Sequence, residues 1–269
     1  MRALTLMILV LLIGCSSAKK IEFAQLPKTV EEAVTSPYRT AENLARDQYR
    51  HPVDTLNFFG LHPGMTVVEI SPGSGWYLEI LAPLMTAGGG RYIAALPKSE
   101  GSDYMAKLNA QVEAWLAAHP NVKAEVTSMT GDIAPPESAD LVLTFRNIHN
   151  WMKAGTVQAT FDSFFKALKP GGVLGIVEHR ANEKSKFDTT AASGYVREAD
   201  VIKFAKQSGF ELVSKSEINA NPKDTKDYPE GVWTLPPVLR RKEMDRDKYL
   251  AIGESDRMTL KFVKPNNNQ

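Results

Sequence analysis

Cysteine is nearly absent from this sequence, which has one, Cys15, among 269 residues. A single thiol excludes disulfides within the chain and the zinc sites that need two or four cysteines. An excess of one charge is missing too, since 32 lysines and arginines face 31 aspartates and glutamates without a block of like charge. Binding to nucleic acid is therefore not expected. The hydrophobic fraction of 43% is enough for a sizeable core, which argues against a disordered protein.

The N-terminus carries a short apolar run, residues 3–13, which falls short of the roughly 20 helical residues that a bilayer requires. A basic start and an apolar core of this length are typical of a signal peptide. The run ends in Leu-Ile-Gly-Cys at Cys15, which resembles the lipobox of bacterial lipoproteins. The resemblance implies lipidation of Cys15 and anchoring to the cell envelope, facing the periplasm, with Ser16 favouring the outer membrane. A buried N-terminal helix with an inert cysteine is the alternative.

The domain organisation follows from this leader. We expect a signal peptide over residues 1–14, a polar tether over 15–37 and a single folded domain over 38–269. Helices over 41–49 and 52–61 are expected to cover the sheet. A long connection, residues 218–255, lacks a helical pattern and contains four prolines. Connections of this length are usually functional or disordered, and its polar and aromatic residues are typical of a lid over a pocket.

Apolar strand-like runs alternate with amphipathic helical runs from residue 65 onward. The predicted strands cover residues 66–70, 91–96, 122–128, 140–145, 173–178, 210–216 and 258–262. The predicted helices between them cover residues 76–85, 105–116, 157–168 and 199–207, with Pro83 expected to kink or end the first. This alternation predicts an α/β, Rossmann-like fold with a mostly parallel sheet and helices on both faces. The final strand follows without a predicted crossover helix and is expected to pair as a hairpin.

A glycine-rich loop follows the first predicted strand, in the run Val-Val-Glu-Ile-Ser-Pro-Gly-Ser-Gly-Trp-Tyr over residues 67–77. Glycines at this place let the backbone approach a nucleotide-like ligand closely. A dinucleotide fingerprint is excluded because Leu78 stands where its third glycine is required. A phosphate-binding loop is excluded because Gly-Lys-Ser/Thr is missing.

The loop resembles that of class I S-adenosylmethionine-dependent methyltransferases, and in particular a bacterial group with the run Glu-Ile-x-Pro-Gly-x-Gly-Trp-Tyr. The likeness extends over most of the chain after the leader. It includes Arg50-His51-Pro52, the run Phe-Arg-Asn-Ile-His-Asn-Trp at 145–151, Lys-Pro-Gly-Gly at 169–172, and residues 224–234 and 253–262. The resemblance implies a seven-stranded sheet with an antiparallel last strand, and S-adenosylmethionine as cofactor.

The resemblance also assigns residues to the cofactor. It implies that four residues line the methionine end, Glu69, Ser71, Gly73 and Gly75, and that Asp132 meets the adenine. Two departures stand against it: Ser71 replaces the first loop glycine, and the second strand ends without the acid that binds the ribose hydroxyls. A replacement for that acid could come from Glu100 or Asp103. For Glu69 and Asp132 the alternative role is that of a turn or cap carboxylate.

Candidate catalytic groups follow the fourth and fifth predicted strands, whose carboxyl ends are expected to share one crevice. We expect His149, or failing that His179, to take the proton of the methyl acceptor, because histidine titrates near neutral pH. Arg146 and Arg180 are expected to orient a polar or anionic small molecule. The alternatives are that His149 only caps its loop and that Arg180 pairs with Glu178. A metal site is not expected.

Two functions remain open from the sequence. The first is an S-adenosylmethionine-dependent methyltransferase that acts on a small molecule. The second is a methyltransferase-fold lipoprotein without catalysis that holds a ligand or partner at the cell envelope, since the fold alone does not decide function. Export favours the second, because the cofactor is made in the cytoplasm, and the retained glycines favour the first.

Overall fold

The computed structural model of the protein describes residues 24–266. This part of the chain forms seven strands: β1 (Thr66–Ile70), β2 (Arg91–Leu96), β3 (Glu125–Ser128), β4 (Ala139–Phe145), β5 (Leu168–His179), β6 (Glu211–Ser216) and β7 (Arg257–Val263). The α-helices of the described residues are α1 (Val30–Val34), α2 (Ala41–Leu44), α3 (Asp47–Arg50), α4 (Pro52–Phe59), α5 (Leu78–Ala87), α6 (Asp103–Ala118), α7 (Ile148–Ala154), α8 (Val157–Ala167), α9 (Glu198–Gln207) and α10 (Arg246–Ile252).

All seven strands form one sheet in the order β3-β2-β1-β4-β5-β7-β6. The pairs from β3 to β5 are parallel, whereas β7 is antiparallel to both of its neighbours, β5 and β6. The predicted fold class and the hairpin at the end of the chain are confirmed. The strand order reverses between β1 and β4, where open α/β sheets bind their ligands beyond the carboxyl ends of the strands.

The sheet separates two hydrophobic layers. Phe161, Phe164 and Leu174 are fully buried in one layer, and Leu56, Phe59 and Leu81 in the other. Burial of each such side chain stabilises the fold by about 1.5–3 kcal/mol. Helix α5 is buried from Leu78 to Met85, and it continues through Pro83 to Ala87 rather than ending there. Packing on nearly every side therefore outweighs the hydrogen bond that a proline removes from a helix.

The predicted tether is wrong for its second half, because residues 24–37 pack on the domain. Helix α1 begins after Thr29, whose side chain accepts a hydrogen bond from the Glu32 amide, and it buries Val30, Ala33 and Val34 against the layer that contains α5. The apolar residues of this stretch are too few for a periodic signal in the sequence. Cys15 and the predicted signal peptide lie outside the described residues. Within residues 24–266, no helix is both long and apolar enough to cross a membrane.

The connection between β6 and β7 is ordered and contains short helices, which the sequence did not predict. A 3-10 helix covers Gly231–Thr234, and α10 follows it. Asp224 holds the connection to the domain by accepting hydrogen bonds from the Tyr195 hydroxyl at 3.0 Å and from the Asp256 amide at 2.7 Å. The predicted helix over 41–49 is likewise divided into α2 and α3.

Gly175, in the middle of β5, lies where the sheet meets α4 with no room for a side chain. A Cβ atom there would lie 2.7 Å from Leu143 Cδ2 and 2.8 Å from Phe59 Cγ. We expect Gly175→Ala to lower the free energy of unfolding by about 1–3 kcal/mol because it overpacks the core. Gly131→Ala is the control, since a Cβ there meets no atom within 4 Å. Equal urea midpoints for the two variants would contradict this prediction.

Candidate functional site

A cavity of about 320 Å³ lies at the carboxyl ends of β1, β4 and β5. The antiparallel direction of β7 brings a fourth segment to the same edge, because Arg257 at the start of β7 pairs with His179 at the end of β5. Glu254 and Ser255, just before β7, therefore line the cavity together with residues from the parallel strands. The sheet topology thus concentrates polar side chains from distant parts of the sequence at one place.

The glycine loop forms one wall of this cavity. Ser71 and Gly73 line it and have positive φ angles of 48° and 64°. Ser71 thus adopts the left-handed conformation that favours glycine. Glycine is also the residue expected at this position from the family that the loop resembles. A Cβ on Gly73 would meet no atom within 4 Å. Gly75 does not line the cavity; at φ 89° it turns the chain toward α5 instead.

Glu69 also lines the cavity, from the end of β1, and is 2% exposed. The Tyr92 hydroxyl donates a hydrogen bond of 2.6 Å to its carboxylate. Burial raises the pKa of Glu69 to about 8, against smaller effects of Tyr92 and Arg50 that lower it. The carboxyl group is therefore protonated at neutral pH in the free protein.

A pH-dependent effect on stability follows from the raised pKa of Glu69. The folded state holds this proton more tightly than the unfolded state, so the protein loses stability as the pH rises from about 4.5 to about 8. Glu69→Gln has no titrating group at this position. We expect its free energy of unfolding to rise relative to that of wild type by about 1.4 kcal/mol per pH unit across that window. Urea unfolding at pH 5, 6.5 and 8 measures the difference, and a constant difference would contradict the assignment.

Asp132, which was expected to meet an adenine, is not brought to the cavity. Its carboxylate lies 2.6 Å from Lys166 Nζ at the end of α8, and both side chains are about half exposed. The ion pair with Lys166 on α8 explains this placement. The sequence does not show that these two residues meet. The structure therefore corrects this assignment and favours the alternative of an exposed turn carboxylate.

A second, open groove lies at the carboxyl ends of β2 and β3. It is lined by Leu96, Pro97, Glu100, Asn109 and Thr130, among others. β2 brings no acid to it, as the sequence indicated. Glu100 is the carboxylate that lines this groove, and it pairs with Lys98 at 2.7 Å on the surface. Of the two acids considered as replacements for the missing one, Glu100 lines the groove and Asp103 does not.

Both predicted histidines line the main cavity, as the strand order required. The ring centroids of His149, at the start of α7, and His179, at the end of β5, are 5.5 Å apart. Burial lowers the pKa of His179 well below its usual range, and the neighbouring His149 and Arg146 act in the same direction. His179 is therefore neutral at neutral pH, and its Nδ1 lies 2.6 Å from the Ser255 hydroxyl.

Glu178 is a site residue that the sequence analysis did not select. Its Oε1 lies 3.1 Å from His149 Nδ1, and its Oε2 accepts a hydrogen bond of 2.6 Å from the Ile148 amide. The side chain is fully buried behind the histidine. With the proton on Nδ1 donated to Glu178, His149 presents an unprotonated Nε2, which is the arrangement of a positioned general base.

Together, His149, Glu178 and His179 have the spacing of a metal site, although the sequence predicted no metal site. Ligand atoms of His149, Glu178 and His179 all lie within 4.8 Å of one another. Glu178 Oε1 also accepts the His179 amide at 2.8 Å, so both carboxylate oxygens are already engaged. The hydrogen bonds thus favour a role in orienting His149.

The two predicted arginines occupy different places. Arg146 lines the cavity in a left-handed backbone conformation, with φ 63°. Arg180 does not line it, because its guanidinium pairs with Glu217 at 2.6 Å and with Asp256 at 2.9 Å. The expectation that Arg180 orients a ligand is wrong, and so is the alternative that it pairs with Glu178.

Three further arginines surround Glu254. The distances to its carboxylate are 2.7 Å from Arg46 Nε, 3.6 Å from Arg50 Nε and 3.3 Å from Arg257 Nη2. Burial alone would raise the pKa of Glu254, but the guanidiniums of Arg257, Arg50 and Arg46 lower it to about 2. Glu254 is 208 residues from Arg46 in the sequence, which is why no local pattern identified the cluster.

The connection between β6 and β7 forms a wall of the cavity, as a lid would. Val232, Trp233 and Val238 line it, and the Trp233 ring meets that of His149 edge to face with centroids 6.0 Å apart. The Arg240 guanidinium lies over the Trp233 ring, 4.7 Å from its centroid. The sequence-based expectation of a pocket-covering segment agrees with this placement.

Comparison with solved structures places this architecture among known folds. A SAM-dependent methyltransferase from Aquifex aeolicus aligns with a TM-score of 0.55 and 16% identity, over 82% of this chain and 93% of its own. A putative methyltransferase from Haloferax volcanii, in complex with the activator Trm112, aligns with a TM-score of 0.52 and 16% identity over 88% and 97%. The chain has the class I methyltransferase fold. No protein-family model and no curated protein sequence matches it.

A third neighbour shows what the methyltransferase fold leaves open. The [4+2]-cyclase SpnF aligns with a TM-score of 0.59 and 12% identity, over 87% of this chain and 86% of its own. Proteins of this fold are thus described both as methyltransferases and as a cyclase. The reaction has to be argued from the residues of the cavity.

Proposed function

We propose that this protein is an S-adenosylmethionine-dependent methyltransferase that acts on a small molecule. The observation that carries the proposal is the joint placement of the glycine loop and the His149–Glu178 pair. Gly73 and His149 line one cavity, at the point of the sheet where the strand order reverses. The methyltransferase fold of the neighbouring structures supports the same assignment.

The residues present fit the methionine end of this cofactor. The Cβ position of Gly73 is free of neighbours, so the loop backbone is open to a ligand. Glu69 lies beside it as a buried carboxyl group that could ionise against a bound ammonium group. For the adenosine end, the groove at β2 and β3 with Glu100 is the candidate place, since Asp132 lies elsewhere.

The bound cofactor would supply a methyl group on a positively charged sulfur. The protein then has to orient the acceptor and remove its proton. His149 Nε2 would accept the proton of an O–H or N–H group on an acceptor bound in the cavity. Glu178 keeps the His149 ring oriented and stabilises the imidazolium that results. Trp233 and Val238, from the connection between β6 and β7, form the wall of the cavity on this side.

Calorimetric titration with S-adenosylmethionine and with S-adenosylhomocysteine tests the proposal. We expect both to bind wild-type protein, and we expect Gly73→Val to weaken binding at least tenfold. The substitution places a branched side chain in the ligand space at a φ angle that strains it. Gly131→Ala is the control, since it lies outside both the loop and the cavity. Absence of binding at millimolar cofactor would remove the methyltransferase proposal and leave a binding protein without catalysis.

We also propose that Cys15 carries a lipid that anchors the protein in the bacterial envelope, facing the periplasm. The lipobox-like run before Cys15 supports this location. Stable anchoring takes two or more acyl chains. Palmitate labelling followed by membrane fractionation should give label on wild type and none on Cys15→Ser. An unlabelled wild-type chain in the soluble fraction would contradict the anchor.

A further inference from the structure

The charged residues that line the cavity are unbalanced. Three guanidiniums, those of Arg46, Arg50 and Arg146, face two carboxyl groups, those of Glu69 and Glu254. Glu254 is ionised, with a pKa of about 2, whereas Glu69, with a pKa of about 8, is protonated at neutral pH. Because guanidinium groups stay protonated, three positive charges on the cavity wall meet one negative charge.

Several of these guanidinium nitrogens lack a hydrogen-bond acceptor among the described residues. Arg50 is 3% exposed and lies on the Trp76 ring. Its Nε and Nη2 atoms donate no hydrogen bond to the described residues, since Glu254 is 3.6 Å from Nε, and Nη2 of Arg46 donates none either. Arg146 forms no ion pair with any described side chain, and burial with its like-charged neighbours lowers its pKa to about 10. Buried polar groups are nearly always hydrogen-bonded, so these donors indicate a missing acceptor.

The cofactor by itself does not supply the missing negative charge. S-adenosylmethionine carries a sulfonium and an ammonium group against one carboxylate, so its binding adds positive charge to the cavity. A second, negatively charged ligand is therefore needed to neutralise the positive charge of the cavity. Arg146 and His149 are three residues apart and line the same cavity, which places the least compensated guanidinium close to the proposed base.

We propose that the small molecule bound beside His149 is an oxyanion, a carboxylate or a phosphate, held by Arg146 with Arg50 and Arg46. This inference rests on the proposed function for the role of that molecule as methyl acceptor. The binding of the anion itself does not depend on it. Aromatic rings on the cavity wall, among them Trp233 and Phe145, fit a ligand with a flat apolar body.

Calorimetry with benzoate, inorganic phosphate and the neutral benzamide tests the proposal, with and without saturating S-adenosylhomocysteine. We expect at least one anion to bind at least tenfold more tightly than benzamide, and to bind equally well or better when S-adenosylhomocysteine is present. The relative affinity of benzoate and phosphate identifies the class. Anions that bind no better than benzamide would overturn the proposal. So would competition with S-adenosylhomocysteine, since the arginines would then serve the carboxylate of the cofactor.

Variants test whether anion affinity depends on Arg146 itself or only on the overall charge of the protein. Arg146→Gln should weaken anion binding at least tenfold and leave S-adenosylhomocysteine binding within about threefold, and Arg146→Lys should restore part of the anion affinity. Arg46→Gln, at a partly exposed position, provides a second variant should Arg146→Gln fail to fold. Arg91→Gln is the control, because Arg91 pairs with Glu125 at the start of β2, away from the cavity. Unchanged anion affinity in both cavity variants would overturn the proposal.

The two proposals fail in different ways. If S-adenosylhomocysteine does not bind but the anion does, methyl transfer is contradicted and the anion site stands. If S-adenosylhomocysteine binds but no anion does, the methyltransferase proposal stands and the anion site is contradicted.

Discussion

Replacement of His149 by alanine should lower the rate of methyl transfer by about 100-fold or more, because a positioned general base contributes roughly 10²–10⁴-fold. The loss should appear in kcat with little change in the affinity for S-adenosylhomocysteine, since His149 acts on the acceptor. The rate is measured as formation of S-adenosylhomocysteine with an acceptor found in a panel of small hydroxylated carboxylates and phosphates.

Glu178→Gln distinguishes a positioned base from a merely buried histidine. The amide can still accept a hydrogen bond from His149 Nδ1 but no longer stabilises the imidazolium. We expect an intermediate loss of rate, because the ring keeps its hydrogen bond and orientation while the imidazolium that forms in the reaction loses its counter-charge.

His62→Ala is the control, because His62 is exposed, does not line the cavity and has its Nδ1 3.0 Å from the Pro63 carbonyl oxygen. A loss of only a few-fold in His149→Ala would overturn the assignment of His149 as base.

Replacement of Glu254 by glutamine should lower the free energy of unfolding by about 3–5 kcal/mol, the usual cost of removing one partner from a buried ion pair. Glu254 is 4% exposed and is shared by Arg46, Arg50 and Arg257. Its loss leaves three guanidiniums close together without their carboxylate. Urea unfolding at pH 7 measures the effect.

The pH dependence of this effect follows from the lowered pKa of Glu254. The folded state binds this proton less tightly than the unfolded state, so the contribution is present above pH 4.5 and is lost as the pH falls toward 2. A tenfold change in proton affinity corresponds to about 1.4 kcal/mol, so lowering the pKa from 4.5 to about 2 corresponds to about 3 kcal/mol. The difference in the free energy of unfolding between wild type and Glu254→Gln should therefore become smaller as the pH falls from 4.5 to 2.

Glu230→Gln is a matched control from the same connection. Glu230 lies 3.7 Å from Arg240, and both side chains are nearly half exposed. Exposed pairs of this kind contribute about 0–1 kcal/mol. If Glu254→Gln were no less stable than Glu230→Gln, the buried cluster would not have the energetic role assigned to it.

Local patterns in the sequence predicted most of the fold, since periodicity and turn residues act over a few positions. The apolar runs at β1 and β4 and the glycine loop between β1 and α5 are examples. The errors arose where tertiary contacts outweigh local signals. Residues 24–37 pack on the domain without a periodic pattern, and α5 continues through Pro83 because it is buried on nearly every side.

The candidate site was predicted in part for the same reason. Parallel strands place their carboxyl ends at one edge, so His149 and His179 could be expected in one cavity. The pairing of His149 with Glu178 and the placement of Asp132 on Lys166 depend on side-chain geometry, which strand order does not determine.

The sequence by itself determined the fold class, the glycine loop and the edge of the sheet where the ligand site lies, because these follow from short-range patterns and strand direction. Only the tertiary structure decided the charge of the cavity. Arg46 and Glu254 meet across 208 residues, and burial protonates Glu69 while it keeps Glu254 ionised. Charge in a buried site depends on desolvation and on neighbours brought together by folding, and neither can be read from composition.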